Sequence, residues 1–197
     1  MKPGDFYIGM SEFFSVLLPG FIVAATAADH FEQITLKTLV ANEWAMLLII
    51  AYITGHILFA LGSYWDDLYE KLKPIGNEPL LDEIAQIRAA NQERDCAAIN
   101  EYQWCRSLLS FIHPEGFNEV LRKEADSKLF RSLILPFLIA PLLLLQEQSQ
   151  CWAWGLLVLA LVAFWRYRGQ RFKACKIAYT HVIVLHQLGK FETQNEH

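Results

Sequence analysis

The sequence predicts an all-α membrane protein with four transmembrane helices and a small cytosolic helical bundle. Three observations predict it: a composition too apolar for an ordinary globular domain, apolar blocks of near-membrane length, and cations gathered on one side of those blocks. Of 197 residues, 54% are hydrophobic and 19% charged, against roughly 45–50% and 25% in soluble domains. The mean hydropathy of +0.22 stays modest because nearly charge-free blocks are averaged with an ordinary polar middle. A net charge of −4 leaves no global basic field to attract nucleic acid. Cys96, Cys105, Cys151 and Cys175 form no CxxC pair and have no histidine at zinc spacing, so no metal, cofactor or disulfide is expected.

The first block, residues 13–28 between Glu12 and Asp29, spans on the order of 24 Å as a helix, short for a hydrocarbon core of about 30 Å. Phe6, Tyr7 and Ile8 can extend it. Pro19-Gly20 predicts a kink of the kind lipid-embedded helices tolerate, with Ser15 or a neighbouring helix satisfying the freed carbonyl. A signal peptide is the alternative, because Ala24-Ala25-Thr26-Ala27-Ala28 has the small residues of a cleavage site; Lys2 set against Asp5 and Glu12 is a weak export signal. The second block, residues 44–64, carries no formal charge and has Trp44 and Tyr64 at its ends, the signature of a spanning helix.

The third and fourth blocks, residues 129–145 and 151–165, read as a hairpin joined by the polar residues 146–150, with Trp152, Trp154 and Trp165 as interface belts. A buried soluble hairpin is the alternative. Apart from Lys37, every Lys and Arg lies at the N-terminus, in the middle segment or in the tail. Cationic loops resist translocation, so both termini of this multi-pass chain are expected in the cytoplasm. The resulting division is 1–64, a first transmembrane pair; 65–128, a cytosolic helical segment; 129–166, a second transmembrane hairpin; and 167–197, a cytosolic C-terminal helix and tail.

In the cytosolic segment, residues 65–73 are expected to continue the second helix until Pro74-Ile75-Gly76-Asn77 breaks it. Leu80, Ile84 and Ile87 then recur at helical spacing, with Asn77 as a cap. Ala98, Tyr102, Cys105, Leu109 and Ile112 form an apolar stripe that His113-Pro114-Glu115-Gly116 ends. From Phe117, the shared face of Leu121, Ala125 and Leu129 predicts a helix running unbroken into the third span, tying the cytosolic part rigidly to the bilayer. A stripe of Phe172, Cys175, Ala178, Val182 and Leu185 in the tail is a partner for the Ala98 to Ile112 face.

Several constellations are candidates for function. His56, beside Thr54 near the middle of the second span, is an ionisable group at a costly depth; it suits a pore or proton relay, or, more plainly, a neutral imidazole hydrogen-bonded inside the helix bundle. Gly20, Ala24 and Ala28, with Ala51 and Gly55, are small faces that let helix backbones approach, within one chain or between copies. Arg166, Arg168, Arg171, Lys173 and Lys176 form a basic rim suited to anionic lipid head groups or phosphate. Without a Gly-rich phosphate loop, a nucleotide or nucleic acid is the lesser expectation there. Asp66, Asp67, Glu70, Glu124, Asp126 and Lys128 are the sole grouping resembling an acid/base site, and solvated helix exits are the plainer reading. His181 and His186 lie about 140° apart on a helix, a poor metal pair.

Two stretches, GMSEFFSVLLPG at residues 9–20 and EADSKLFRS at residues 124–132, resemble uncharacterised bacterial multi-pass inner-membrane proteins, some of them associated with anti-phage defence. The resemblance implies topology, and with it a bacterial inner membrane, more than activity, and carries over no catalytic residue. It implies an effector whose cytosolic bundle senses a signal or partner and whose spans then disturb the membrane. His56, the small-residue faces and the basic rim make the first expectation a non-enzymatic, oligomeric protein that gates or perturbs the lipid bilayer in response to a cytosolic cue. A membrane anchor recruiting a soluble cytosolic partner is the second expectation, and a membrane-embedded lipid-modifying enzyme using Asp66 and Arg168 the third.

Overall fold

The computed structural model describes residues 3–32, 40–72, 78–91, 100–144 and 150–189, and every element among them is an α-helix. In chain order these are α1 (Pro3–Glu32), α2 (Ala41–Leu61), α3 (Tyr64–Lys71), α4 (Glu78–Asn91), α5 (Glu101–Ile112), α6 (Pro114–Leu144) and α7 (Gln150–Gln187). The helix breaker at 74–77, Ala98, Cys96, Lys37 and most of the polar turn at 146–150 lie outside the described residues.

Local signals account for the ends. At the start of α2, the Val40 N–H donates to the Glu43 carboxylate at 2.9 Å, satisfying a donor the helix leaves orphaned. Asn100 caps α5, its side-chain oxygen accepting from the Gln103 N–H at 2.8 Å. Pro114 sits at the first position of α6, where a missing N–H costs nothing, and His113 accepts from the Gly116 N–H at 3.3 Å. Pro19 in α1 and Pro136 and Pro141 in α6 stand inside continuous helices.

Residues 64–71 follow α2 as expected, with one local tightening. Gly62 and Ser63, between Leu61 and Tyr64, keep right-handed helical dihedrals while i→i−3 bonds such as Ser63 N–H to the Ala60 carbonyl at 3.1 Å replace the α-helical ladder. The Ser63 hydroxyl donates back to the Ala60 carbonyl at 2.7 Å, a local bond that competes with the helical ladder next to a poor helix former, Gly62.

The chain divides into two compact units, each assembled from two separate stretches. Unit 1 comprises residues 1–72 and 125–169; unit 2 comprises 73–124 and 170–197. These units are defined by packing and do not coincide with the expected membrane and cytosolic divisions at 64/65, 128/129 and 166/167. The cause in unit 1 is visible at Tyr69, which is 1% exposed and packs with Leu133, Ile134, Ala163 and Tyr167, so α3 belongs with the apolar helices.

In unit 1, two stretches are long and apolar enough to cross a membrane among the described residues, Phe13–His30 and Ala41–Lys71. The expected third and fourth spans do not reach that measure. Lys128 and Arg131 stand at the entry to the apolar part of α6, and Arg166 and Arg168 close that of α7.

Unit 2 is a helical bundle. Ile84 and Ile87 of α4, Tyr102, Cys105 and Leu109 of α5, Val120 of α6, and Cys175, Ala178, Val182 and Leu185 of α7 share one buried core. The two stripes read from the sequence thus meet, except that Phe172 is only half-buried and stands outside that core. Burial of such side chains stabilises by about 1.5–3 kcal/mol each for the larger aliphatics.

Candidate functional site

α1 and α2 pack antiparallel at backbone contact distance. A Cβ built on Gly20 would lie 1.7 Å from the Ala51 carbonyl oxygen, and one on Gly55 would lie 2.0 Å from the Val16 carbonyl oxygen. Only glycine fits at either position, and each glycine Cα abuts a carbonyl of the other helix, an arrangement in which Cα–H···O contacts add about 0.5–1 kcal/mol each. Ala24, Leu47 and Ala51 continue the seam as one buried cluster flanked by Leu17 and Phe21, and Phe21 stacks on Trp44 at 6.4 Å. Ala28 is half-buried. The small residues singled out from sequence as far as Ala24 therefore converge within one chain.

His56 lies elsewhere. The residues α2 turns to α1 are Leu47, Ala51, Gly55 and Leu58, whereas His56 is exposed on the other side, its ring meeting Tyr52 edge-on at 4.6 Å. Thr54 is half-buried.

A polar knot joins α3, α6 and α7 within unit 1. Arg131 donates to one oxygen of Asp66 and the Tyr167 hydroxyl donates to the other, both at 2.5 Å. The Arg131 guanidinium also lies 5.2 Å from the Phe59 ring centre, and Tyr167 packs against Tyr69 and Phe164. Arg131 is thus an ion-pair partner of Asp66. The pairing spans 65 residues of chain for Arg131 and 101 for Tyr167, and no local pattern announces it.

Glu124 serves a second polar cluster, in unit 2. It is 9% exposed, accepts from the Tyr102 hydroxyl at 3.5 Å and pairs with Arg106 at 3.3 Å. Arg171 covers the Tyr102 ring at 4.7 Å. Burial, with Glu124 adding to it, holds the Tyr102 phenol above its ordinary range, and burial pushes the Cys105 thiol up to about 12. Asp66 and Glu124, expected together from the sequence, belong to different units, and each has its own partners there. Helical phase could have shown this, since Glu124 is one turn beyond Val120, which is wholly buried in the bundle core.

The basic rim is likewise divided. Arg166 is exposed and lies 5.6 Å from the Phe130 ring centre, Arg168 is half-buried, Arg171 is engaged with Tyr102, and Lys173 and Lys176 are exposed. His181 lies 3.2 Å from a Glu119 carboxylate oxygen and meets the His113 ring edge-on at 5.5 Å; His186 is exposed. Among the described residues no three His, Cys, Asp or Glu side chains are placed to hold a metal.

One open groove of about 360 Å³ lies on unit 2, lined by Gln103, Arg106, Ser107 and Ser110 of α5 and Phe117 of α6. Those α5 positions recur at i, i+3, i+4 and i+7, the face opposite its core stripe. No family model, curated protein or solved structure matches the chain.

Proposed function

We propose that this chain is a multi-pass, oligomeric membrane protein of a bacterial inner membrane, with unit 2 and both termini in the cytoplasm, that gates or perturbs the bilayer when unit 2 meets a cytosolic signal. The observation that carries the reading is the inverted polarity of unit 1. Ile49 is 60% exposed, Leu161 72% and Trp165 73%, while Ser15, Ser127 and Ser132 are at most 2% exposed. Exposed apolar side chains extend over α1, α2 and α7, through Phe13, Phe14, Met46, Ile53, Ile57, Val158 and Val162. A soluble monomer rarely exposes more than a few hundred Å² of contiguous apolar surface, so lipid is the solvent that suits this one. The same argument supports the α6 and α7 hairpin as a second membrane pair.

Response to a signal is supported by the helices the two units share. α6 and α7 each contribute residues to both, and the Asp66–Arg131–Tyr167 knot fastens α3 to them. A ligand that moves α6 or α7 therefore acts on contacts in the membrane unit. The test is membrane potential, read with a voltage-sensitive dye in expressing bacteria with and without phage challenge. Depolarisation that depends on the challenge and is altered by Asp66→Asn supports gating; an unchanged potential in every condition, with the protein present in the membrane, removes it.

The groove on α5 and α6 favours a second reading, a membrane anchor for a soluble partner. Filling it with Ser107→Trp would then release a stoichiometric partner that the wild type retains through detergent purification.

A further inference from the structure

The surface of α2 that α1 leaves uncovered has two chemically different sides. One stripe holds Asn42, Ala45, Ile49, Tyr52 and His56, stepping by three and four, with Ser63 in the same register beyond the helix; the stripe beside it is Met46, Ile50, Ile53, Ile57 and Leu61. Every residue in both stripes except Ser63 lies within α2, and all are exposed. The second stripe is aliphatic throughout and suits lipid. The first holds Asn42, Tyr52 and His56, while the exposed Glu43 lies off it at the start of the helix, and His56 stands close to the middle of the apolar run of residues 44–64 with the edge of the Tyr52 ring beside it. A polar ring at that depth is costly unless another helix meets it.

We propose that the Asn42 to His56 stripe is the docking surface for α2 of a second copy of this chain. The inference rests on the membrane reading of α2 given above. Three features select a second copy over an unrelated helix. All copies insert with the same topology, so two α2 helices meet in parallel and, about an axis along the membrane normal, each position faces its own counterpart. A neutral imidazole has one donor and one acceptor, so one His56 can donate to the partner's His56, giving an N–H···N bond across the axis that needs no foreign group. Alternation of three and four residues is the period that keeps a seam in contact along a left-handed helix pair, and Ala45 gives the close approach such pairs use. The α1 seam through Gly20 and Gly55 lies on the opposite side of α2 and stays intact.

The test is oxidative cross-linking in native membranes, with the wild type as the baseline for its own cysteines. Ala45→Cys and Ile49→Cys are expected to give disulfide-linked homodimers, and Met46→Cys and Ile50→Cys no more than baseline. Adding His56→Leu to Ala45→Cys should lower the dimer yield about threefold, the size of one interhelical hydrogen bond in a membrane, and His56→Gln should restore much of it. Equal yields from both stripes, yields confined to positions 46 and 50, or a cross-linked product containing another protein would each overturn the proposal. Carbonate extraction of the same membranes separates the failures. Protein released to the supernatant overturns the membrane reading with it, whereas protein kept in the pellet without cross-links at 45 and 49 overturns the α2 interface alone.

Discussion

Replacing Gly55 with Ala puts a methyl group where the structure holds a carbonyl. The new Cβ would stand 2.0 Å from the Val16 oxygen and 2.8 Å from its carbon. Ordinary contact begins near 3.4 Å, so α1 and α2 must part locally by about 1.4 Å, and a gap of that size forfeits at least half of each dispersion contact along the seam. Both clashing atoms are backbone, with no side-chain rotamer to yield, which places the cost at the upper end of overpacking, about 2–3 kcal/mol. Alanine returns about 0.8–1 kcal/mol through its better helix propensity. The net loss is therefore about 1–2 kcal/mol, and Gly20→Ala, meeting the Ala51 oxygen at 1.7 Å and the Gly55 nitrogen at 2.6 Å, loses at least as much. Gly169→Ala is the control, because nothing lies within 4 Å of its added Cβ; it should be neutral or stabilising by up to about 1 kcal/mol. The assay is SDS-driven unfolding in mixed micelles followed by circular dichroism. The double variant should lose less than the sum, since one separation relieves both clashes. A Gly55→Ala protein as stable as Gly169→Ala would refute the reasoning.

Further outcomes follow from the polar clusters and the bundle core. Asp66→Ala removes the shared acceptor of Arg131 and Tyr167 and should cost about 1–3 kcal/mol in the same unfolding assay; Tyr167→Phe should cost about 0.5–1.5 kcal/mol and couple to Asp66→Ala in a double-mutant cycle. In unit 2, Leu109→Ala should cost about 2–5 kcal/mol because Leu109 is 0% exposed, while Phe111→Ala, at a residue 80% exposed, should change stability by less than about 0.5 kcal/mol. The Cys105 thiol has a folded pKa raised from 9.0 to about 12. Its contribution is therefore complete below pH 9 and is lost as pH climbs from 9 towards 12, because the unfolded chain ionises first; thermal melts between pH 8 and 11 should fall more for the wild type than for Cys105→Ala. In a Cys96→Ser background, a thiol reagent should label Cys151 quickly and leave the buried Cys105 and Cys175 until denaturant is added.

Period and burial were legible in the sequence where one helix face decides the structure. Tyr102, Cys105 and Leu109 recur at steps of three and four, as do Cys175, Ala178, Val182 and Leu185, and both stripes enter one core. The unbroken course of α6 was readable for the same reason. Gly20, Ala51 and Gly55 were recognisable as small faces, but spacing cannot say which helix comes close, and the pairing with Val16 is a tertiary fact. The tightened turn at Gly62-Ser63 escaped because an apolar run masks a hydroxyl that turns back on its own helix. Asp66 and Glu124 were grouped by expected depth, whereas their partners are set by helix phase and by contacts distant in the chain.

The interleaving of the two units bears on the order in which the protein matures. Residues 73–124 leave the ribosome before residues 125–169, yet their apolar faces are completed only by Cys175 to Leu185. At about 5–20 residues per second, α4 and α5 stay half-covered for several seconds while the intervening residues are synthesised. During that interval the nascent chain offers chaperones an adhesive surface, and a truncation anywhere before residue 170 leaves it permanently bare.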